Sequence, residues 1–178
     1  MSLPSWTIDP AHSAVLFIAR HMVVARVHGR FERVSGTLRV DPQSPTQGEV
    51  DVQVEAASIY TGLPERDAHL RSPEFLDVEA APHLTFRASQ SHAVGTNAFQ
   101  LQGELTLRRV TRPLLLEVRH LATSKDPSGQ PRLLYTARTS LNRSEFGIKW
   151  NRALDNGGWL IGEKVEVELD IQASPSKA

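Results

Sequence analysis

Apolar and polar residues alternate with a period of two along most of this chain, the pattern of strands with one buried face. Val50, Val52, Val54 and Ala56 share one parity, while Asp51, Gln53 and Glu55 share the other. Leu84, Phe86 and Ala88 alternate with Thr85, Arg87 and Ser89. The most regular segment runs Phe99, Leu101, Gly103, Leu105, Leu107 against Gln100, Gln102, Glu104, Thr106. Further strands are predicted over Leu114–Val118, Leu133–Asn142 and Leu160–Ala173. Turn chemistry separates them at Asp41–Gly48, Gly95–Asn97, Val110–Pro113, Ser124–Pro131 and Asn156–Gly158.

Three stretches depart from the alternation. Between His12 and Arg20, Ala14–Ala19 is apolar on both parities, as in a strand covered on both faces, or one with a face in the core and the other against a partner. His21–Gly29 fits neither period and reads as a turn of helix or an irregular corner. Phe31 and Val34 fall on opposite parities while Leu38 and Val40 share one, which a β-bulge near Ser35-Gly36 would reconcile. Helix-start signals occur in one place, Thr61–Leu76. Pro64 suits a first helical position, and Ser72-Pro73-Glu74 combines an N-cap residue type with proline and an early acid.

The predicted class is therefore all-β, with roughly eight or nine antiparallel strands and one short helical crossover at about 62–78. One apolar face per strand suits either a sandwich or a closed barrel. The barrel is preferred, because a sandwich has no need of a helical cover between its strands. Strands of about ten residues reach about 33 Å, and a barrel of about eight such strands has room for one elongated ligand. A filled barrel acting through its surface remains the blander alternative.

Length and composition narrow the functional classes. The 178 residues suit one domain, with a core over about 5–173. Twenty basic residues balance twenty acidic ones, which argues against a nucleic-acid binder. The absence of cysteine excludes disulfides, thiolate catalysis and zinc–cysteine or iron–sulfur sites. Arg108-Arg109 with Arg112, and Arg26 with Arg30 and Arg33, read as solvated strand ends and turns. The longest apolar run, Ala14–Ala19, is too short for a membrane span, so no stable membrane insertion is expected. MSLPSWTIDPAHS lacks a basic region followed by an apolar one. The expected compartment is the cytoplasm, or the periplasm if a signal peptide has been removed.

The seven histidines (His12, His21, His28, His69, His83, His92 and His120) show no zinc-protease spacing; His92 and His120 read as solvated. His12 beside Ser13, and His69 beside Ser72, lack a nucleophile-elbow glycine pattern. Adjacent residues of a strand also face opposite ways. Arg66, Asp67 and His69 form the densest versatile group. On a helix, Asp67 and Arg71 are four apart, as are Glu65 and His69, the spacing of surface ion pairs. Alternatively Arg66 or His69 meets a polar headgroup at a cavity mouth. A third reading makes Asp67 and His69 the acid–base pair of an enzyme acting on a hydrophobic or lipid-linked substrate. No metal or cofactor is called for.

A set of short motifs then carries a resemblance. They are WTIDPAHS at Trp6–Ser13, FIARHM at Phe17–Met22, GRF at Gly29–Phe31, RDAHL at Arg66–Leu70, PEFLD at Pro73–Asp77 and PHLTF at Pro82–Phe86. GELTL at Gly103–Leu107, VTRP at Val110–Pro113 and RSEFGI at Arg143–Ile148 complete them. In this order and spacing the chain resembles the YceI-like polyisoprenoid-binding proteins over Trp6 to about Ala173. The resemblance implies an extended, lipocalin-like eight-stranded barrel holding a long-chain isoprenoid lipid, of polyprenyl or quinone type, in an apolar tunnel. It also implies a non-catalytic binding or transport role and a homodimer. Phe17, Phe86, Leu101 and Leu105 would line the tunnel, and His21, Arg66 and His69 would make polar contacts near its mouth. Phe31, Leu70, Phe75, Phe146 and Trp150 complete the expected ligand-binding set.

Overall fold

The computed structural model describes residues 2–178. Eleven strand segments lie in chain order: β1 (Ser5–Ile8), β2 (Ala14–His21), β3 (Ala25–Phe31), β4 (Val34–Val40), β5 (Gly48–Glu55), β6 (Ile59–Tyr60), β7 (His83–Ala93), β8 (Ala98–Leu107), β9 (Val110–Lys125), β10 (Pro131–Asn142) and β11 (Ile161–Pro175). One α-helix, α1 (Pro64–Arg71), interrupts them between β6 and β7.

The segments combine into eight staves because three staves are each broken once. β11 pairs with β2 through its first half and with β1 through its end, so β1 and β2 are successive parts of one stave. In the same way β3–β4 pairs with β1–β2, and β5–β6 pairs with β3–β4. The β1–β11 pairing closes the sheet into an antiparallel up-and-down barrel. Closure removes the unpaired edges that an open sheet would present.

Each break has a local cause. Asp9 caps the 3-10 turn Pro10–His12 by accepting from Ala11 N at 2.9 Å. Glu32-Arg33 and the 3-10 turn Ala56–Ser58 lie side by side, stitched by Glu32 N to Ser58 O (3.1 Å) and Arg33 N to Ser58 Oγ (3.1 Å). The β3–β4 break, not a bulge at Ser35-Gly36, is what changes the parity between Phe31 and Val34. The pairing of β4 with β5 is unbroken from Val34↔Val54 to Val40↔Gly48. The ambiguous 21–29 stretch is a hairpin. Met22 and Val23 take left-handed backbone conformations (φ 52° and 72°), and β3 begins at Ala25.

Inward residues of the alternating strands form one core. Gly103 shows why that core tolerates no extra atom at one point. A Cβ there would lie 2.4 Å from Arg87 O and 2.6 Å from the Phe86 ring. The two ends of the barrel differ. Strand direction places the turns 41–47, 94–97 and 126–130 at one end (the turn end). It places α1, Arg108-Arg109, the β2–β3 tip and segment 143–160 at the other (the helix end).

Candidate functional site

Pro64 opens α1 as its first residue, but Leu63 at the N-cap makes no side-chain cap. Ser72 ends this helix instead of starting another: its Oγ donates to His69 O at 2.6 Å. The expected pairs along the helix do not form. Asp67, 4% exposed, turns back to accept from Thr61 N (2.9 Å) and Thr61 Oγ1. Arg66 clamps the same threonine, donating to its Oγ1 and its carbonyl at 2.8 Å each. Arg71 donates to Ala57 O and Ile59 O. His69 pairs with Glu74 and not Glu65, with its ring edge-on to Phe75 (4.9 Å) and Trp150 (4.7 Å). These contacts fasten a cover, and Asp67 and His69 have separate partners, Thr61 and Glu74.

A second cover, the 3-10 turn Arg143–Phe146 and the chain after it, is held by a buried guanidinium. Arg143, 5% exposed, donates to Gly162 O (2.9 Å), Ile148 O (3.0 Å), Trp150 O (2.9 Å) and Ile161 O (3.3 Å). Burial lowers its pKa from the usual arginine value. Arg108 is also no solvated turn residue. It donates to Gly147 O and Pro73 O, both at 2.6 Å, tying the two covers to the β8–β9 turn. Arg109 donates to Ala80 O at 3.0 Å.

Between the ends lies an apolar cavity of about 180 Å³. On β5 its lining runs from Gly48 to Val54, six residue steps or about 20 Å. That length with that volume makes it a slot one chain wide. Phe86, Leu101 and Leu105 lie on its wall, alongside Val52, Leu116 and Ile171. The polar residues on its lining are Gln47, Glu49, Thr85, Tyr135 and Thr139. Tyr135 and Thr139 lie on the inward parity of β10, whereas the Glu49 carboxylate is turned to Arg39. The other nine expected residues lie off the lining. Phe17 packs on Phe31 at 5.7 Å, with Gly29 leaving room for its ring. Phe75, Phe146, Leu70 and Trp150 pack into the core beneath the helix end. His21 ends β2 opposite Ala25 and Ile161. Arg66 and His69 are occupied as described above.

The turn end supplies residues that the sequence reading passed over. Tyr135 lies on the inward parity of β10 with Leu133 and Ala137. Its hydroxyl donates to Pro45 O at 2.9 Å, fixing the 41–47 turn across the end of the slot. Burial pushes its pKa up to about 12. A β-bulge at Leu121 sets His120 opposite Tyr135, with the rings 5.2 Å apart. His120 is half-buried, not solvated, and desolvation lowers its pKa. Outside the slot, Arg132 joins Asp126 and Asp9 at 2.9 Å each. Asp126 is held down at about 2, first by the Ser128 hydroxyl and then by Arg132.

The family model of the YceI-like domain matches residues 6–173. The chain belongs to the YceI-like family. A UPF0312 protein of Pseudomonas savastanoi pv. phaseolicola is 33% identical over 138 residues, spanning 78% of this chain and 72% of that protein. Among solved structures, Burkholderia cenocepacia BcnA superposes with a TM-score of 0.80 at 19% identity, over 93% of this chain and 98% of its own. A polyisoprenoid-binding domain from Saccharophagus degradans, implicated in plant cell wall breakdown, gives 0.72 at 15% identity, over 97% and 99%. Such identities establish a shared fold, and the YceI-like barrel is the fold seen here.

Proposed function

We propose that this barrel binds and carries, without catalysis, a long-chain lipid whose isoprenoid tail, of polyprenyl or quinone type, occupies the slot. The observation that carries this reading is the shape of the cavity, narrow, about 20 Å long and almost wholly apolar. A chamber for a compact metabolite would be wider and would converge polar groups on its ligand. The polyisoprenoid-binding relative supports the tail chemistry.

Magnitudes favour a long tail over a short one. Burial gives about 0.8 kcal/mol per methylene, so a five-carbon isoprene unit gives about 3–4 kcal/mol. Association costs about 4–15 kcal/mol, so several units are required for micromolar affinity. The headgroup would sit at the turn end, where Gln47 and Tyr135 are the polar residues on the slot's lining. A filled slot is the test. Ala137 lines it and is buried, so Ala137→Phe is expected to block a tail. Lipid mass spectrometry of extracted protein should find a polyprenyl species with the parent and several-fold less with the variant. A parent that copurifies with no lipid and takes up no polyprenyl probe overturns the proposal. Melting curves establish that the variant is folded.

A further inference from the structure

At the helix end two hairpin tips lie side by side. One is Met22-Val23-Val24, between β2 and β3; the other is the 152–160 hairpin, closed by the Ala153↔Trp159 bridge. Met22 N donates to Leu160 O at 2.8 Å, and Val23 Cγ2 reaches within 3.5 Å of where a Gly158 Cβ would lie. The apolar side chains on these tips point into solvent: Met22, Val23, Val24 and Trp159 are 53, 61, 78 and 60% exposed. Turn chemistry does not require them. A left-handed β-branched residue such as Val23 is an outlier, where asparagine or glycine would sit without strain.

The surroundings state what would cover such a patch. Arg20 and Arg26 face each other across the β2–β3 ladder, and Lys149 and Arg152 belong to the neighbouring segment. Across residues 20–26 and 149–160 these four cations meet one carboxylate, Asp155, in a chain whose net charge is zero. None of the four takes part in an ion pair among the described residues. A second copy docking here by two-fold symmetry would set these cations against their own copies. An apolar tip with an exposed tryptophan, neighboured in the chain and across the β2–β3 ladder by cations outside any ion pair, complements a bilayer carrying anionic headgroups.

We propose that the paired tips are a docking surface for an anionic lipid bilayer. Met22, Val23, Val24 and Trp159 enter the boundary between headgroups and acyl chains, while Arg20, Arg26, Lys149 and Arg152 meet phosphate. Docking leaves the turn end, with the slot's polar groups, facing away from the bilayer. The surface stands on its own observations, whatever the slot holds.

The test is cosedimentation with phosphatidylcholine vesicles, with and without phosphatidylglycerol. Binding is expected at least about tenfold stronger on the anionic vesicles and to weaken as salt shortens the screening length. Trp6 is buried and Trp150 half-buried, so a blue shift of tryptophan emission on binding would report Trp159. Val24→Asp, at an exposed tip, should lower binding about tenfold, and Arg26→Glu at least about fivefold, with melting curves unchanged. Wild-type binding by both variants, equal binding to neutral vesicles, or no binding to either kind overturns the proposal. So does a dimer in light scattering that Val24→Asp dissociates.

Discussion

The helix end and the turn end of this barrel are closed by different chemistry. At the helix end, charged donors fasten two covers: Arg143 on four carbonyls, Arg108 on two more, and Arg66 and Arg71 on the approach to α1. Across the turn end, the 41–47 turn is joined to the barrel wall by one neutral hydrogen bond, Tyr135 to Pro45 O. The Asp9–Arg132–Asp126 ion cluster lies at the same end but ties the β9–β10 turn to the β1–β2 corner. Hydrogen bonds from charged groups contribute about 1.5–3 kcal/mol each and neutral ones about 0.5–1.5. One end is therefore fixed, and the other is held by about the energy that thermal opening can supply. A slot between them is expected to fill and empty at the turn end.

The largest expected effect tests the fixed end. Arg143→Ala removes four hydrogen bonds and leaves buried carbonyls without donors, at a cost of about 3–5 kcal/mol. Urea denaturation should show a lower midpoint with an unchanged slope. Arg143→Lys should recover only a small part, because an ammonium cannot span four carbonyls that a planar fork reaches. A loss below about 1 kcal/mol would mean that the covers hold without the guanidinium and that the two ends are not so different.

How far the sequence carried this contrast depends on how local each cause is. The staves follow from side-chain parity, a local property, and Val50–Val54 or Phe99–Leu107 could be read directly. The barrel's closure rests on β11 meeting both β1 and β2, pairings across 140 residues or more that no window reveals. Phe86, Leu101 and Leu105 line the slot, and their parity marks them as inward. The charged residues misled for the opposite reason. Spacing on α1 proposed Asp67–Arg71 and Glu65–His69, whereas buried carbonyls and Thr61 offered stronger partners. Arg143 and Arg108 serve carbonyls contributed by segments far along the chain, and a carbonyl leaves no mark in a sequence. Tyr135 had one available signal, a phenol on the inward parity of a strand with Leu133 and Ala137.

A smaller effect should sharpen the mobile end. Tyr135→Phe deletes the hydrogen bond to Pro45 O while keeping the ring in place, costing about 1 kcal/mol. Its larger consequence is kinetic: release of a bound polyprenyl probe should speed up about fivefold, the factor that energy represents if the bond breaks before release. Alkaline titration tests the burial of the same phenol, the cause of its raised pKa. The folded hydroxyl keeps its proton to about 12, whereas an unfolded tyrosine ionises near 10. Stability is then whole below 10 and falls as pH rises from 10 to 12. Probe release unchanged in Tyr135→Phe would place the exit elsewhere.

The smallest effect concerns His120, whose ring faces Tyr135 at 5.2 Å. Desolvation depresses its pKa, so the fold favours the neutral imidazole. An unfolded histidine takes up a proton near 6.5, while the folded one resists until a lower pH. Between those values the unfolded chain binds more protons, and stability falls as pH is lowered through that window. The loss should concentrate at the turn end. Acidification from pH 7.5 to 5.5 is expected to raise hydrogen exchange at 41–48 and 119–135 before it does so at Arg143–Ile148. His120→Gln should flatten that pH dependence and leave the helix end as it was. Equal acid sensitivity at both ends, or a response that survives in His120→Gln, would assign the effect to other groups. The neutral pair His120–Tyr135 would then be packing alone.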